Sequence, residues 1–296
     1  RARSALSPGS EVRPASGGSV VVPTYDRADL VCRALASVRA QTRPPDEIVV
    51  VDDGSTDGTA ARVRAEYPGV RLLEREHRGV SAARNAGIRA SRGRWLAFLD
   101  SDDEWFPTKL ERQMTALSAS RGRVCHCDEV WIRDGRRVNP RRRHAKRGGR
   151  IYRHCLPLCV ISPSAAVVER DVLDEVGLFD ESLPACEDYD LWLRVTARHR
   201  VLFVDERLVV KYGGHADQLS RAHWGMDRFR ARALERAWRR LELSPGERAA
   251  TLETLLAKLE VLTTGARKRG RRGFVARLEA RRSHFRRLLE LERTAA

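Results

Sequence analysis

Residues 19–54 read SVVVPTYDRADLVCRALASVRAQTRPPDEIVVVDDG, and this segment indicates the fold class. It opens on a short β-branched run at 19–23 and closes on a second one at 47–51, and both are typical of buried strands. Between them, apolar residues recur at helical spacing and predict a helix over 28–40. A strand, a helix and a second strand make a βαβ unit, which places its two strands parallel.

The same alternation continues beyond this unit. Further strands are predicted at 70–73 and 95–99, and further helices at 59–67, 81–90 and 107–117. Repeated strand–helix alternation over about 100 residues predicts an α/β domain, with a mostly parallel sheet and helices on both of its faces.

The pattern loosens after residue 120. We predict a flexible leader at 1–18, a main domain at 19–220 and a basic α-helical extension at 221–296. The later elements expected are a strand at 124–132, short strands near 159–168, a helix at 187–197 and, from about 222, helix in two or three pieces divided at Pro245 and Gly270.

Composition excludes several classes of protein. The 296 residues are 42% hydrophobic and 32% charged, which is enough apolar material for a core and argues against global disorder. No apolar run approaches the ~20 residues of a membrane span, and no signal peptide is recognised. We expect a soluble, cytoplasmic protein. Its six cysteines are interpreted as buried, reduced thiols, with zinc as the alternative.

Positive charge is concentrated in two segments. The chain has 56 Lys and Arg against 40 Asp and Glu, a net charge of +16. Residues 133–150 carry a net +8 and residues 221–296 a net +11, so the rest is slightly acidic. Such patches attract the phosphates of nucleic acids, anionic lipids or nucleotides. A solvated, arginine-rich surface is the alternative.

Polar clusters follow three of the predicted strands, at 24–26, 52–55 and 100–103. Ligands of open α/β sheets bind beyond the carboxyl ends of the strands. Repulsion among carboxylates at one rim must be offset by a cation or by hydrogen-bond donors, and Mg²⁺ uses one or two carboxylates together with substrate phosphates. Turn and helix-capping chemistry is the alternative, and it is the preferred interpretation of Asp57.

Five short motifs stand in a fixed order along the chain. They are VVPTYDR at 21–27, VVVDDGSTDGT at 49–59, GVSAARNAG at 79–87, FLDSDDEW at 98–105 and EDYDLWLR at 187–194. Together they resemble the inverting nucleotide-sugar glycosyltransferases of family 2. The resemblance covers roughly residues 19–220 and implies a Rossmann-like, GT-A type fold, with a nucleotide-binding half at 19–118 and an acceptor half at 119–220. Asp26 departs from the family, in which Asn is more usual.

The resemblance implies roles for the matching residues. The implied nucleotide-binding residues are Pro23, Thr24, Tyr25, Asp53, Arg84 and Asp102, and the implied ligands of Mn²⁺ or Mg²⁺ are Asp102, Asp103 and His215. A surface salt bridge is the alternative for Arg84, and a purely structural role is the alternative for His215.

Direct displacement with inversion needs a carboxylate that takes the proton of the acceptor hydroxyl. Asp188 precedes Leu191, Trp192 and Val195 by three, four and seven residues, which predicts that it lies on the inward face of its helix and makes it the expected base. A capping role at the helix N-terminus is the alternative. Asp190 is expected in solvent. Glu187 and Trp192 are the expected acceptor contacts.

The function that these interpretations favour is transfer of one sugar, from a UDP-sugar in preference to other donors, to a glycan or lipid-linked acceptor in cell-surface polysaccharide synthesis. No QxxRW motif of the processive synthases occurs at 218–224. A catalytically inactive nucleotide-sugar binder or scaffold is one alternative, and a basic nucleic-acid-binding protein is another. The loop at 133–150 would suit an acidic acceptor. The extension would bind the inner membrane face, pack on the domain or dimerise.

Overall fold

The computed structural model describes residues 17–139, 141–214 and 223–294. Within them the chain forms a mixed α/β domain around a nine-stranded sheet. The strands are β1 (Gly18–Thr24), β2 (Glu47–Asp52), β3 (Arg71–Glu74), β4 (Trp95–Phe98), β5 (Glu104–Trp105), β6 (Val124–Arg133), β7 (Arg136–Val138), β8 (Ala166–Glu169) and β9 (Leu202–Gly213).

Ten α-helices and two short 3₁₀ turns, Arg142–His144 and Pro163–Ala165, accompany these strands in the described residues. The helices are α1 (Ala28–Arg39), α2 (Thr59–Glu66), α3 (Val80–Ala90), α4 (Lys109–Ser120), α5 (Tyr152–Cys155), α6 (Arg170–Val176), α7 (Glu187–Arg198), α8 (Asp227–Arg240), α9 (Pro245–Lys268) and α10 (Arg272–Thr294).

The first half of the sheet is parallel, in the order β3-β2-β1-β4. Successive residues of β1 face opposite sides of the sheet. Val20 and Val22 pack into the cluster that contains α1 and α2, whereas Val21 packs into the cluster on the opposite side. The predicted parallel sheet with helices on both faces is therefore confirmed for this half.

The second half is mixed, and the prediction of a mostly parallel sheet does not extend to it. The order continues β4-β8-β6-β9-β5, with β7 paired to β6. The β4–β8, β8–β6, β6–β7 and β9–β5 pairs are antiparallel, and only β6–β9 is parallel. The sequence did not predict β9, because the exposed charged residues 205–207 interrupt its apolar pattern, opposite an irregularity in β6 at Asp128.

Helix α3 packs unusually close to the sheet. A Cβ atom added at Gly87 would lie 2.4 Å from Val21 Cγ1 and 3.2 Å from Val51 Cγ2. Such distances are well inside van der Waals contact, so only glycine fits at this point of the helix. The close approach sets the N-terminus of α3 at the carboxyl ends of β1 and β2.

The extension packs on the domain. Leu252, Leu255 and Leu259 of α9 are fully buried in one continuous cluster with residues of α5 and α7. The Tyr152 hydroxyl lies 2.9 Å from Thr251 Oγ1 across this junction. Packing on the domain, one of the three roles left open for the predicted apolar stripe, is therefore confirmed.

The helix boundaries of the extension agree with the predicted divisions. Ser244 and Glu247 form a reciprocal capping box, in which each side chain accepts from the backbone N–H of the other residue, and Pro245 occupies the first turn of α9. Helix α9 ends at Lys268, and Gly270 follows at a φ of +65° before α10 begins.

The cysteine and membrane expectations have separate outcomes. All six cysteines are free, and five are buried, whereas Cys159 is partly exposed. No described group of three or more His, Cys, Asp and Glu side chains is arranged to hold a metal ion. None of the described helices combines the length and apolar character that crossing a membrane requires. Most of the predicted leader lies outside the described residues, and β1 already includes Gly18.

Candidate functional site

A cleft with a volume of about 1130 Å³ opens at the carboxyl ends of β1, β2 and β4. Its lining includes the predicted polar clusters 24–26 and 100–103 in full and Asp53 of the cluster 52–55, together with the start of α7. The strand-end residues and the helix that carries Asp188 therefore meet in one cavity. The predicted residues that line it are Pro23, Thr24, Tyr25, Asp53, Arg84, Asp102, Asp103, Glu187 and Asp188.

One end of the cleft is organised by Asp53, which is 2% exposed just beyond β2. Its Oδ2 accepts from the backbone N–H groups of Gly79 at 2.7 Å and Arg78 at 3.1 Å. Arg75 Nε lies 3.2 Å from Oδ1, and His77 Nδ1 lies 3.0 Å from Oδ2. The carboxylate thus fixes the loop that leads into α3, a role that the motif alone did not reveal.

An aromatic pair lies at the mouth of this end. The rings of Tyr25 and His77 have centroids 4.1 Å apart, with 32° between their planes, and Tyr25 is 43% exposed. Nearby, Thr24 Oγ1 is buried and has no hydrogen-bond partner among the described residues. Such a surface suits a flat ring with polar edges, because the exposed aromatic ring can stack on it and the unpaired hydroxyl can form a hydrogen bond with its edge.

The carboxylates after β4 have different environments. Asp102 lies 3.1 Å from Arg27 Nη1, and its side chain is 17% exposed. Its backbone carbonyl accepts from Arg33 Nη2 at 2.9 Å, which holds the turn in place. Asp102 is the more accessible of the two acids predicted to ligate a metal.

Asp103 is 1% exposed and is held on several sides. Ser164 Oγ donates to its Oδ2 at 2.6 Å, the backbone N–H of Tyr212 to its Oδ1 at 3.3 Å, and Lys211 Nζ lies 3.6 Å away. Burial raises the pKa of Asp103 to about 8, aided by the charge of Asp102 and opposed by Lys211. This carboxylate joins β9 to the loop that carries Asp102.

Arg84 bridges three elements at the floor of the cleft. Its Nη1 donates to Glu187 Oε1 at 2.6 Å and its Nη2 to Asp100 Oδ1 at 2.6 Å. Burial raises the pKa of Glu187, whereas the charges of Arg84 and Lys211 outweigh burial and lower the pKa of Asp100. The contact is a buried ion pair, in place of the surface one considered for Arg84.

Asp188 lies at the first turn of α7 and lines the cleft. Its Oδ1 accepts from the backbone N–H of Tyr189 at 2.6 Å, and its Oδ2 faces Cys159 Sγ at 3.3 Å. The prediction that Asp190 is solvated was wrong. Asp190 is 5% exposed and pairs with Arg194 Nη2 at 2.9 Å. Arg194 also donates to the carbonyl groups at the end of α6, and these contacts hold the pair away from solvent.

Two predicted residues are not brought to this cleft by the described structure. Trp192 is 1% exposed and packs in the core behind α7, away from the cleft lining, because it follows Asp188 by a full turn on the face that the core covers. This position gives no support to an acceptor contact for Trp192. His215 lies outside the described residues.

The sequence reasoning missed several residues that line the cleft. Lys211 reaches it from β9, and Met226 and Arg230 reach it from the start of α8. Arg230 pairs with Asp227 at 2.9 Å. No motif surrounds these residues, and the basic character of the extension was the only signal that could have suggested Arg230. The extension thus supplies part of the cleft wall.

The basic loop at 133–150 is attached to the sheet by one buried ion pair. Lys146 Nζ lies 2.8 Å from Glu129 Oε1, with the two side chains 5% and 3% exposed. His126 Nε2 also lies 2.8 Å from the backbone carbonyl oxygen of Arg147, and Gly149 forms an antiparallel bridge with Val201. The remaining basic side chains of the loop are exposed, and they are Arg133, Arg136, Arg137, Arg141, Arg142, Arg143, Arg147 and Arg150.

Comparison with known proteins agrees with this geometry. The family model described as Glycosyl transferase family 2 matches residues 19–177. The succinoglycan biosynthesis protein ExoO of Rhizobium meliloti is 38% identical over 187 residues, 58% of this chain and 53% of that protein. The UDP-Glc:alpha-D-GlcNAc-diphosphoundecaprenol beta-1,3-glucosyltransferase WfgD of Escherichia coli is 30% identical over 184 residues, 60% of this chain and 68% of that protein. The matches to Rickettsia glycosyltransferases span only 30–64% of those proteins' lengths.

Solved structures share the fold. The TarS fragment 1–349 of S. aureus, in complex with UDP-GlcNAc, has a TM-score of 0.66 at 21% identity and covers 82% of this chain and 71% of that one. The mannosyltransferase PcManGT of Pyrobaculum calidifontis, in complex with GDP-Man and Mn²⁺, has a TM-score of 0.59 at 20% identity and covers 93% of this chain and 86% of that one. The predicted GT-A type fold is confirmed.

Proposed function

The chain belongs to glycosyl transferase family 2, and on that premise we propose that it transfers one sugar, with inversion, from a nucleoside-diphosphate sugar to a hydroxyl group. A UDP-sugar is the favoured donor, and a glycan or lipid-linked acceptor in cell-surface polysaccharide synthesis is the favoured acceptor. Three similar proteins support this choice. ExoO is named for succinoglycan biosynthesis, WfgD is named for UDP-Glc and a diphosphoundecaprenol-linked acceptor, and the TarS structure holds UDP-GlcNAc.

The observation that carries the proposal is the meeting of three kinds of group in one cleft. Tyr25 and Asp53 lie at one end, Asp102 lies at the carboxyl end of β4, and Asp188 lies at the start of α7. A base-binding surface, a site for a charged diphosphate and a further carboxylate to act as base are the parts that transfer from a nucleotide sugar needs.

The donor is held by residues of the first four strands. Tyr25 stacks against the base, and the unpaired Thr24 hydroxyl offers it a hydrogen bond. Asp53 acts through the loop that it fixes and through its carboxylate oxygens, which can accept from a ring N–H. Arg84 holds the floor of the cleft by its two ion pairs, so its role toward the diphosphate is positioning.

The residues present fit a divalent ion that is completed by substrate oxygens. Asp102 offers a partly exposed carboxylate in the cleft, and Mg²⁺ or Mn²⁺ needs only one or two such ligands beside phosphates. Asp103 keeps its hydrogen bonds to Ser164 and the Tyr212 amide and supports Asp102. The ion, when bound, stabilises the negative charge of the departing diphosphate.

Asp188 acts as the general base. The acceptor hydroxyl gives its proton to the carboxylate while its oxygen bonds to the anomeric carbon of the sugar. The bond from that carbon to the diphosphate breaks, and the electron pair leaves with the nucleoside diphosphate. Attack opposite the leaving group inverts the anomeric centre.

The basic loop at 133–150 and the arginine-rich surface of the extension serve the acceptor and its surroundings. Exposed arginines suit an acidic glycan or the diphosphate of a lipid carrier, and each Lys or Arg near an anionic bilayer is worth about 1 kcal/mol. The full chain should co-sediment with anionic vesicles more than with neutral ones, and 1 M salt should abolish the difference. Equal sedimentation with both would contradict membrane contact.

The test of donor binding is a thermal-shift panel of UDP, GDP and dTDP, each with and without Mn²⁺. A ligand at one hundred times its Kd stabilises the folded state by about 2.7 kcal/mol, so the binding nucleotide should raise the Tm measurably. We expect UDP with Mn²⁺ to give the largest rise. If no nucleoside diphosphate raises the Tm, the proposal is contradicted. If nucleotides raise the Tm but no combination of nucleotide sugar and acceptor releases the nucleotide, the protein is an inactive binder.

A further inference from the structure

The carboxylate of Asp188 is held at both oxygens by different parts of the chain. The backbone N–H of Tyr189 donates to Oδ1 at 2.6 Å. On the other side, Cys159 Sγ lies 3.3 Å from Oδ2. Cys159 precedes β8 and lines the same cleft. The contact to Oδ2 is therefore tertiary, and it sets how the carboxylate is turned relative to α7.

The thiol has one proton and two acceptors within reach. Its second acceptor is the backbone carbonyl of Ile161, with Sγ and O 3.1 Å apart. A hydrogen bond to a charged acceptor is stronger than one to a neutral acceptor, so the proton points to Asp188 while that carboxylate is ionised. Once Asp188 has taken a proton, the thiol proton can turn to Ile161, and neither group is left without a partner.

We propose that Cys159 is a positioning residue for the base of the transfer reaction. Its thiol orients the ionised Asp188 carboxylate through the hydrogen bond to Oδ2. When Asp188 becomes protonated, the thiol turns its hydrogen bond to the carbonyl of Ile161. The proposal rests on the proposed function, in which Asp188 receives the acceptor proton. Cys159 keeps its own proton throughout. The reaction balances as before, because the acceptor proton ends on Asp188 and the electron pair leaves with the diphosphate.

Burial and the neighbouring carboxylate together raise the pKa of the Cys159 thiol well above its ordinary value. The thiol therefore keeps its proton at neutral pH, which makes it a lasting hydrogen-bond donor and a poor nucleophile. Both properties suit a positioning role. The titratable or charged groups that surround the pair are Arg84, Glu187, Cys155, Cys186, Tyr189, Asp227 and Arg230. Of these, only Cys155 is substituted in the tests below, as a control.

The first test measures the coupling without any turnover. Cys159 in the full chain is alkylated with iodoacetamide between pH 7 and 10, and the modification is followed by peptide mass spectrometry. Asp188→Asn removes the negative charge beside the thiol, so the rate at Cys159 should rise about tenfold for each unit by which the thiol pKa falls. Glu181→Gln, which removes another carboxylate of the cleft, is the control and should leave this rate unchanged. An unchanged rate in Asp188→Asn overturns the proposal.

The second test measures the transfer reaction. Cys159→Ala should lower kcat about 3–10-fold and move the acidic limb of the kcat profile up by about 0.5–1 pH unit, because the ionised carboxylate loses a donor. Cys159→Ser keeps a donor and should restore both. Cys155→Ala removes a buried thiol of the same core with no contact to Asp188 and should leave the profile in place. A wild-type profile in Cys159→Ala overturns the positioning role.

The two proposals fail in different ways. If Asp188→Asn transfers sugar at the wild-type rate, then Asp188 is not the base, whatever the alkylation result. If Asp188→Asn abolishes transfer while Cys159→Ala keeps the wild-type kcat and pH profile, then the base assignment stands and the inference about Cys159 is wrong.

Discussion

Arg84 Nη1 and Glu187 Oε1 lie 2.6 Å apart, in a pair that is almost completely shielded from water. The contact joins α3, which follows β3, to α7, which carries Asp188. Removing one partner of a buried ion pair strands the other charge in a medium that solvates it poorly. The pair therefore links the two halves of the cleft energetically.

We expect Arg84→Met to lower the free energy of unfolding by about 3–5 kcal/mol, because Glu187 loses its ion-pair partner and Asp100 loses the guanidinium that contacts it. Urea denaturation would measure the loss. Arg84→Met combined with Glu187→Gln should recover part of it, since the stranded charge is then gone. A double variant no more stable than Arg84→Met would contradict this account.

Asp188→Asn should keep donor binding and lower the transfer rate by about 10²–10⁴-fold, because the amide cannot take the acceptor proton. Nucleotide release with and without acceptor measures the rate, and thermal shift measures binding. The matched control is Asp190→Asn on the same helix. It breaks a buried pair with Arg194 and should lower the Tm, while the rate per folded molecule is retained. Near wild-type transfer by Asp188→Asn would move the search to Glu187.

Asp102→Ala should weaken donor binding only when Mn²⁺ is present, because its accessible carboxylate after β4 is the metal ligand that we propose. Calorimetric titration of UDP with and without the metal measures this. Asp57→Ala is the control. Asp57 accepts from the backbone N–H groups of Thr59 and Ala28, as the capping interpretation predicted, so its loss should cost about 1 kcal/mol of stability and no metal-dependent binding. Equal effects of the two substitutions would count against a metal role for Asp102.

Lys109 should make the stability depend on pH in the alkaline range. Its side chain is fully buried over the Trp105 ring, with Nζ 3.8 Å from the centroid, and burial lowers its pKa to about 8. The unfolded chain holds this proton up to about pH 10.4, so between these values the unfolded state binds more protons and stability rises with pH. Lys109→Met should be more stable by about 1–3 kcal/mol at pH 7, and the advantage should shrink from pH 8 to 10. A constant advantage in denaturation at pH 7, 9 and 10 would contradict this.

The leucine stripe of α9 should behave as domain core. Leu255→Ala and Leu259→Ala each remove a fully buried side chain and should cost about 2–5 kcal/mol in chemical denaturation. Val261→Ala, on the same helix at 59% exposure, should change the stability by less than about 0.5 kcal/mol. Small effects at all three positions would show that the extension folds apart from the domain.

The sequence predicted best where the evidence is local. Continuous apolar runs identify the buried strands, so the positions of Asp53 and Asp102 after β2 and β4 place both residues at the same edge of the sheet. The prediction that Asp190 is solvated was wrong because its burial depends on a contact that is distant in sequence. The i,i+4 spacing of Asp190 and Arg194 is visible in the sequence, but a tertiary contact of Arg194 with the end of α6 is what buries the pair.

Long-range pairing hid the remaining parts of the cleft. Lys211 reaches it because β9 pairs with β6, where its partner is Trp131, 80 residues earlier in the chain, and no periodicity in the sequence records that register. The Tyr25–His77 pair likewise joins loops that follow different strands. The sequence predicts Cys159 only as one of six buried thiols, and its distance to Asp188 is what distinguishes it.

The shared core of α8–α10 and the domain bears on how the protein is made. A ribosome synthesises the cleft residues of the first half long before α9, and at about 5–20 residues per second the three helices take roughly 3–14 s to emerge. During that interval the surface around Tyr152 and Leu156 lacks the leucines that cover it in the finished fold. The nascent chain is thus exposed to aggregation and to proteases at this surface, and it is a natural place for a chaperone to bind until α9 arrives.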